Sequence, residues 1–253
     1  VKVTVLGSGT SQGVPVIGCQ CPVCQSLDFR DKRLRSSVHI EVEGKSIVID
    51  SGPDFRQQML RERISQLDAL LFTHEHKDHT AGMDDIRSFN FLQEKDMPVY
   101  AAPRVIEQLK REFAYVFSEK KYPGVPMVEV NELDGEPFEV EGIQVIPIEV
   151  LHYKLPVYGF RIGDFTYITD AKTISKKSLE KARGSKILMI NALQQTEHLS
   201  HLTLNEAIDM AQKIGADVTY FTHLSHKMGS HKTIEAQLPN NIYIAYDGLQ
   251  LSL

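Results

Sequence analysis

The residues best suited to chemistry lie in one short run, Thr73-His74-Glu75-His76-Lys77-Asp78-His79. Imidazole and carboxylate are the nitrogen and oxygen donors that a catalytic divalent metal takes, and His74, His76, Asp78 and His79 fall within six residues. The run follows the apolar stretch 67–72, so it reads as a loop at a strand end. Alternate side chains of an extended loop share a side, which turns His74 and His76 toward one ion. Asp78 and His79 then open a helix expected to run through 84–87, from which they face a second ion beside the first. A solvated polar turn is the plainer reading, and the density of ligand types argues against it.

All three cysteines sit in Cys19-Gln20-Cys21-Pro22-Val23-Cys24. Such close thiols have the spacing of a metal site rather than of a disulfide framework. Tetrahedral zinc lacks one ligand here, and a distant histidine can supply it: His226, with His231 as its competitor. A closed Cys3His site would tie the loop at 19–24 to a C-terminal loop without touching substrate.

Periodicity places the elements that must carry these groups. β-rich runs predict strands at 2–6, 38–42, 46–50, 69–73 and 98–101. Helical spacing predicts a helix over 54–64, with Phe55, Met59 and Leu60 on one face, and another over 104–117, with Val105, Ile106, Leu109, Phe113 and Val116. The second half reads as a meander at 143–150, 158–162 and 165–169, a strand at 187–192, a helix at 204–214 with Thr203 as its N-cap, and strands at 218–222 and 242–246. Strands before helices, twice, predict an α/β (α+β) fold in which two sheets pack face to face with helices outside. No repeat or linker interrupts the chain, so 1–253 is expected to be a single domain.

Composition bounds the function classes. With 253 residues, 42% of them hydrophobic, the chain can bury a sizeable core. The 24% of charged residues and a mean hydropathy of -0.22 leave no apolar run of membrane-spanning length. The N-terminus alternates like a strand rather than a secretion signal, so a cytoplasmic location is expected. Acidic residues outnumber basic ones 33 to 28, a net charge of -5 that argues against a globally basic nucleic-acid binder.

The His-x-His-x-Asp-His run resembles that of the metallo-β-lactamase superfamily, which implies an αββα four-layer sandwich. The resemblance also implies three later ligands, and Glu149-Val150-Leu151-His152, Tyr167-Ile168-Thr169-Asp170 and Tyr220-Phe221-Thr222-His223 stand in the matching contexts. Carried over, His74, His76 and His152 hold one metal, Asp78, His79 and His223 the other, and Asp170 bridges. The same resemblance sets the loops at 7–13 and 49–54 beside the metals, with Asp50 orienting ligand histidines. A phosphate-binding role for 8–11 is a further expectation.

With the cysteines after the first strand and a His-x-x-His near the end, nearly the whole chain resembles the PhnP-type cyclic phosphodiesterases of phosphonate metabolism. PqqB, of coenzyme PQQ biosynthesis, shares a cysteine-rich loop but has a less complete metal set. PhnP and the ribonuclease Z enzymes carry a general-acid histidine at the start of a late helix. His201, in His201-Leu202-Thr203, would take that role, with His198 as the alternative and a plain helix-end polar residue as the bland reading.

The implied function is a metal-dependent hydrolase acting on small cyclic phosphodiesters. Two ions about 3.5 to 4 Å apart would share a water whose pKa falls toward roughly 7. The resulting hydroxide would attack phosphorus while His201 protonates the departing alkoxide and Asp78 helps hold the nucleophile. The implied cofactors are two catalytic divalent metals, manganese or zinc, since mixed imidazole and carboxylate ligands suit both. One structural zinc joins them, on Cys19, Cys21, Cys24 and His226. The expected partner is a small anionic phosphodiester rather than nucleic acid or membrane. Related enzymes imply a homodimer, although no segment marks an interface. Transfer-RNA 3′ processing, lactone or thioester hydrolysis, and a PqqB-like non-hydrolytic metal protein are the alternatives. The basic run 30–35 reads as a solvated face before an anion contact, and Tyr115 or Tyr122 as part of a lid.

Overall fold

The computed structural model describes residues 1–120 and 122–253. One sheet contains β1 (Lys2–Gly7), β2 (Ser37–Val42), β3 (Lys45–Ile49), β4 (Ala69–Leu71), β5 (Met97–Ala101) and β6 (Val128–Glu132). The second contains β7 (Phe138–Val140), β8 (Ile143–His152), β9 (Leu155–Ile162), β10 (Phe165–Ile168), β11 (Thr173–Ile174), β12 (Ile187–Asn191), β13 (Val218–Thr222) and β14 (Ile242–Ile244). The C-terminal β15 (Gln250–Ser252) returns to the first sheet, giving the order β15-β1-β2-β3-β4-β5-β6 against β11-β8-β9-β10-β12-β13-β14, with β7 paired to β8. The helices are α1 (Pro22–Gln25), α2 (Phe55–Glu62), α3 (Lys77–Thr80), α4 (Arg87–Gln93), α5 (Pro103–Glu112), α6 (Lys176–Ala182), α7 (Leu204–Ile214) and α8 (His231–Glu235).

The period of two along each strand builds the four layers. In β3, Ile47 and Ile49 point into the core between the sheets while Val48 points out, and in β4 Ala69 and Leu71 point in while Leu70 points out. The outward residues meet Phe55 and Met59 of α2, Phe89 of α4 and Val105, Ile106 and Leu109 of α5. Likewise Phe165 and Tyr167 of β10 and Met189 of β12 enter the central core, whereas Ile168, Leu188 and Ile190 meet α7 through Leu204, Ala207 and Ala211. Strands covered on both faces lose the alternation of apolar and polar residues and read as continuous apolar runs, as Val3-Thr4-Val5-Leu6 and Ile187 to Ile190 nearly do. The expected helix–sheet–sheet–helix order is the one observed.

Several elements differ from expectation. The helix expected from Asp78 through 84–87 is interrupted: α3 ends at Thr80, a 3-10 turn spans Met83–Ile86, and α4 begins at Arg87. Gly82 explains the break. Its amide donates to Ser51 O, and a Cβ there would sit 2.1 Å from Gly52 O, so the chain must leave helical geometry to pack against the loop after β3. Leu60, expected on the buried face of α2, is 62% exposed, and Gln58 is buried beside Phe55 and Met59 instead. α5 stops at Glu112, yet Phe113 and Val116 remain buried in the turns that follow. The unforeseen β6 is an edge strand, half-buried at Val128 and Val130 and exposed at Glu129 and Glu132. β7, β11 and β15 have two or three residues each, too few to show a period.

Candidate metal centre

The side chains expected to do chemistry meet at the carboxyl ends of strands that point the same way within their sheets. β3, β4 and β5 are parallel, as are β10, β12 and β13. Asp50 follows β3, His74 to His79 follow β4, His152 ends β8, Asp170 follows β10 and His223 follows β13. Asp50, Asp170 and His223 are all left-handed, with φ of 66°, 56° and 56°. That conformation is uncommon for residues other than glycine and here turns each side chain off its strand into one cluster. Gly52 backs the arrangement, because a Cβ on it would lie 2.1 Å from Asp78 O.

Asp170 is the hub. Its Oδ2 lies 3.3 Å from His79 Nε2 and 3.2 Å from His223 Nδ1, and its Oδ1 lies 3.0 Å from His201 Nε2. Asp78 Oδ2 is 3.1 Å from His79 Nε2, and His74 Nε2 is 3.0 Å from His76 Nδ1. The rings of His76 and His152 have centroids 5.2 Å apart. Among the described residues, three sets of possible ligand atoms lie mutually within 4.8 Å: Asp78, His79 and His223; His74, His79 and Asp170; and His152, Asp170 and His201.

The histidine tautomers fit a metal. His79 Nδ1 donates to Asp50 Oδ2 at 2.7 Å, and His152 Nδ1 donates to Ser200 O at 2.9 Å. Thr73 Oγ1 gives its only hydrogen to Asp50 Oδ2 at 2.8 Å, so it accepts from His74 Nδ1 at 2.9 Å. In each case Nδ1 carries a proton and Nε2 is turned toward the cluster, the hydrogen-bond pattern that orients metal-binding histidines. His79 Nε2 is fully buried and lacks a hydrogen-bond partner despite its two carboxylate neighbours. An orphaned nitrogen between two carboxylates is what a cation would resolve.

The electrostatics agree. Burial opposes charge on His79, but Asp78, Asp170 and Asp50 outweigh it and raise its pKa well above the ordinary value. Burial also opposes ionisation of Asp170, while His223, His79 and a hydrogen bond from His201 hold its carboxyl well below the usual range. Carboxylates and histidines thus trap a positive charge where a divalent ion would lie, and such an ion would replace a proton.

His201 begins the segment leading into α7 and lies over the cluster, its ring stacked on His223 with centroids 5.0 Å apart. Thr203 caps α7 in a reciprocal box with Glu206, as expected, leaving His201 free of that duty. His198 stands behind it, with Nδ1 3.2 Å from His201 Nδ1. Both line a cleft of about 220 Å³ together with Thr10, Ser11 and Lys227.

The cysteine cluster forms across the chain. His226 Nδ1 lies 3.3, 3.4 and 3.5 Å from the sulfurs of Cys19, Cys21 and Cys24. Zinc–sulfur and zinc–nitrogen bonds of about 2.3 and 2.0 Å at tetrahedral angles imply an edge of about 3.5 Å, so the four residues fit the ion. The amide of Cys24, donated to the Cys21 sulfur, holds that thiol down to about 6, whereas burial pushes Cys24 up to about 11. His231 does not compete: it is buried against Glu235 and Arg33, with Nε2 3.2 Å from the carboxylate.

Other expectations are corrected. Ser8 is fully buried and donates to Asp247, which removes it as a phosphate contact, while Ser11 is exposed in the cleft. The basic run is not a solvated face. Arg33 is 5% exposed and donates to Ser8 Oγ and Ala245 O, Arg30 pairs with Asp28, and Arg35 pairs with Asp54. Tyr115 is pinned by its hydroxyl to Asp84, and Tyr122 lines a separate cavity with Phe91 and Lys95, so neither forms a lid on the cluster. Sequence reasoning missed Thr10, whose Oγ1 is 3.2 Å from His223 Nε2, and Thr73 and Thr169. Each precedes or approaches a ligand as an ordinary-looking threonine, and only the tertiary loop packing marks it.

Residues 45–224 match the family described as the β-lactamase superfamily domain. The chain belongs to the metallo-β-lactamase superfamily. It superposes with a TM-score of 0.93 and 42% identity on a diphosphatase from the PhnP family, over 100% of this chain and 97% of that one. It also superposes with a TM-score of 0.80 on zinc-bound PqqB from Methylobacterium extorquens, over 100% of both chains, where 19% identity speaks for the fold alone. An octanoyltransferase of Porphyromonas gingivalis is 41% identical over 253 residues, which are 99% of this chain but 51% of that protein. The chain therefore spans about half the length of that relative. No helix among the described residues is long and apolar enough to cross a membrane.

Proposed function

We propose that this metallo-hydrolase cleaves small phosphodiesters at a binuclear centre, with His74, His76 and His152 holding one divalent ion, Asp78, His79 and His223 the other, and Asp170 shared. The observation that carries the reading is the convergence of these side chains, with Asp78, His79 and His223 in one close group and one further imidazole, His201, 3.0 Å from the Asp170 carboxylate. The likeness to a PhnP-family diphosphatase supports it. Two such ions, when bound, lower the pKa of a shared water toward about 7 and draw charge from the phosphoryl oxygens.

The chain's own residues do the rest. Asp50, Thr73 and Ser200 O fix the ligand rings with Nε2 inward. Asp78 and Asp170 supply the negative charge that would hold the ions beside the attacked phosphorus, and Asp78 is placed to accept a hydrogen bond from the attacking water. His201 Nε2 delivers a proton to the oxygen that leaves phosphorus, which is worth about 10²- to 10⁴-fold when that oxygen is a poor leaving group. The Cys3His zinc on Cys19, Cys21, Cys24 and His226 touches no substrate and holds two loops together.

His201→Ala tests the reading. It should lower turnover of an alkyl diester by about 10²-fold or more and change bis(p-nitrophenyl) phosphate turnover little, because nitrophenolate departs without a proton. Equal loss on both substrates, or none on the alkyl diester, would contradict the assignment of the acid.

A further inference from the structure

The cleft beyond His201 has a composition that the chemistry of the metals does not require. Among the described residues Ser11, Gln12, Gln194, His198, His201 and Lys227 line it, and no aspartate or glutamate does, in a chain where acids outnumber bases 33 to 28. Lys227 is exposed and its ammonium has no ion-pair partner there, although nearby lysines are paired, as Lys172 is with Glu206 at 2.8 Å. Burial first, and then His201, His152, Lys172 and Lys227, push the pKa of His198 below the ordinary value.

Two loops build this cleft. Thr10 N donates to Leu224 O at 3.1 Å and Leu224 N donates to Ser8 O at 2.9 Å, so the turn after β1 is sewn to the turn after β13. Thr10 meets the ligand His223, and Ser11 and Gln12 reach the cleft. On the facing turn, His226 is held by the three cysteines and Lys227 follows it directly. The Cys3His cluster thereby fixes the point from which the unpaired ammonium projects.

We propose that this cleft is a leaving-group subsite selecting a substituent that carries its own negative charge, a carboxylate or a phosphate-like group, with Lys227 as the specificity-determining cation and Ser11 and Gln12 as hydrogen-bond donors. The proposal rests on the hydrolytic reading above, since a group protonated by His201 departs on this side. Water attacks phosphorus, the bond from phosphorus to the leaving oxygen breaks, and that oxygen takes the His201 proton. The departing alcohol keeps its remote anion against Lys227.

The test compares three methyl aryl phosphates whose leaving groups are 4-hydroxybenzoate, its neutral methyl ester and 4-hydroxyphenylphosphonate, using the metal-loaded full chain. Wild type should prefer the anionic leaving groups by about tenfold in kcat/KM, the size of one charged hydrogen bond. Lys227→Met should erase that preference while leaving the neutral ester within about twofold, and Lys227→Glu should reverse it. The carboxylate and phosphonate arms show which anion fits better. Calorimetric binding of 4-hydroxybenzoate gives a readout apart from turnover, and it should weaken about tenfold in Lys227→Met. If no diester is turned over but 4-hydroxybenzoate binding still depends on Lys227, the hydrolytic reading fails and the anion subsite stands. Turnover with no leaving-group preference, or equal losses on all three substrates in Lys227→Met, would overturn the subsite.

Discussion

Asp50 shows how much a single residue behind the histidine cluster does. It lies wholly inside the protein, accepts from His79 Nδ1 and Thr73, and so decides that His79 Nε2 faces the cluster. Asp50→Asn can keep an oxygen toward His79 Nδ1 and Thr73 Oγ1 but removes the charge and sets its NH2 against Thr73 N, so metal affinity should fall about 10- to 100-fold in a chelator competition. Unchanged affinity would mean that the orientation does not depend on the carboxylate. His79 leads to a second expectation. Burial opposes charge on it, but Asp78, Asp170 and Asp50 raise its pKa well above the ordinary value, so a metal at Nε2 competes with a proton there, its binding should release protons, and apparent affinity should fall as pH is lowered. Calorimetry in two buffers of different ionisation enthalpy measures that release. The candidate ligands were legible in the sequence because four of the seven lie in one dense run and the other three, His152, Asp170 and His223, at strand ends. Thr10 was not legible, because its proximity to His223 joins residues 213 apart.

Elements convert these contacts into stability. α1 and the loop around it are anchored by the Cys3His cluster rather than by a large apolar face, since Cys24 is the only buried residue of α1. His226→Ala should therefore reduce zinc content by about one ion per chain and expose 14–30 to protease, with Tm falling about 2–4 °C per kcal/mol lost at this length. Retention of the full zinc content would remove His226 from the site. β2 carries a separate pH sensor. Burial pushes His39 down to about 4 while its Nε2 donates to Ser46 Oγ, whose own hydrogen goes to Gln66 O. In the unfolded chain His39 titrates near 6.5, so its contribution is complete above that pH. It is lost as pH falls from about 6.5 to 4, by about 3 kcal/mol in all. His39→Gln should show correspondingly less loss over that window in denaturant titrations, and an unchanged pH slope would contradict the linkage. Strong periodicity made the core strands and α7 readable. The break at Gly82 was not, because it is caused by a loop more than 25 residues earlier in the chain, at Ser51 and Gly52.

At the scale of the whole molecule, two sheets of different strand order bring β3, β4, β8, β10 and β13 to one rim, and that convergence made the fold class readable from strands-then-helices in each half. The proposed function adds an expectation about the substrate. The cleft at His201 is about 220 Å³ and the net charge is -5, which suit a small diester better than a polyanionic RNA. Binding to pre-tRNA should accordingly be weak at physiological salt, with a shallow salt dependence in filter binding. A steep dependence would restore the tRNA-processing alternative. The central claim is phosphodiester hydrolysis at this rim, and the most direct measurement is side-by-side turnover of a 2′,3′-cyclic nucleotide, bis(p-nitrophenyl) phosphate, pre-tRNA and a β-lactam by the chain loaded with manganese or with zinc. The account predicts turnover of the small diesters with little or none of the others. Selective hydrolysis of the lactam, or no diester turnover with either metal, would contradict it.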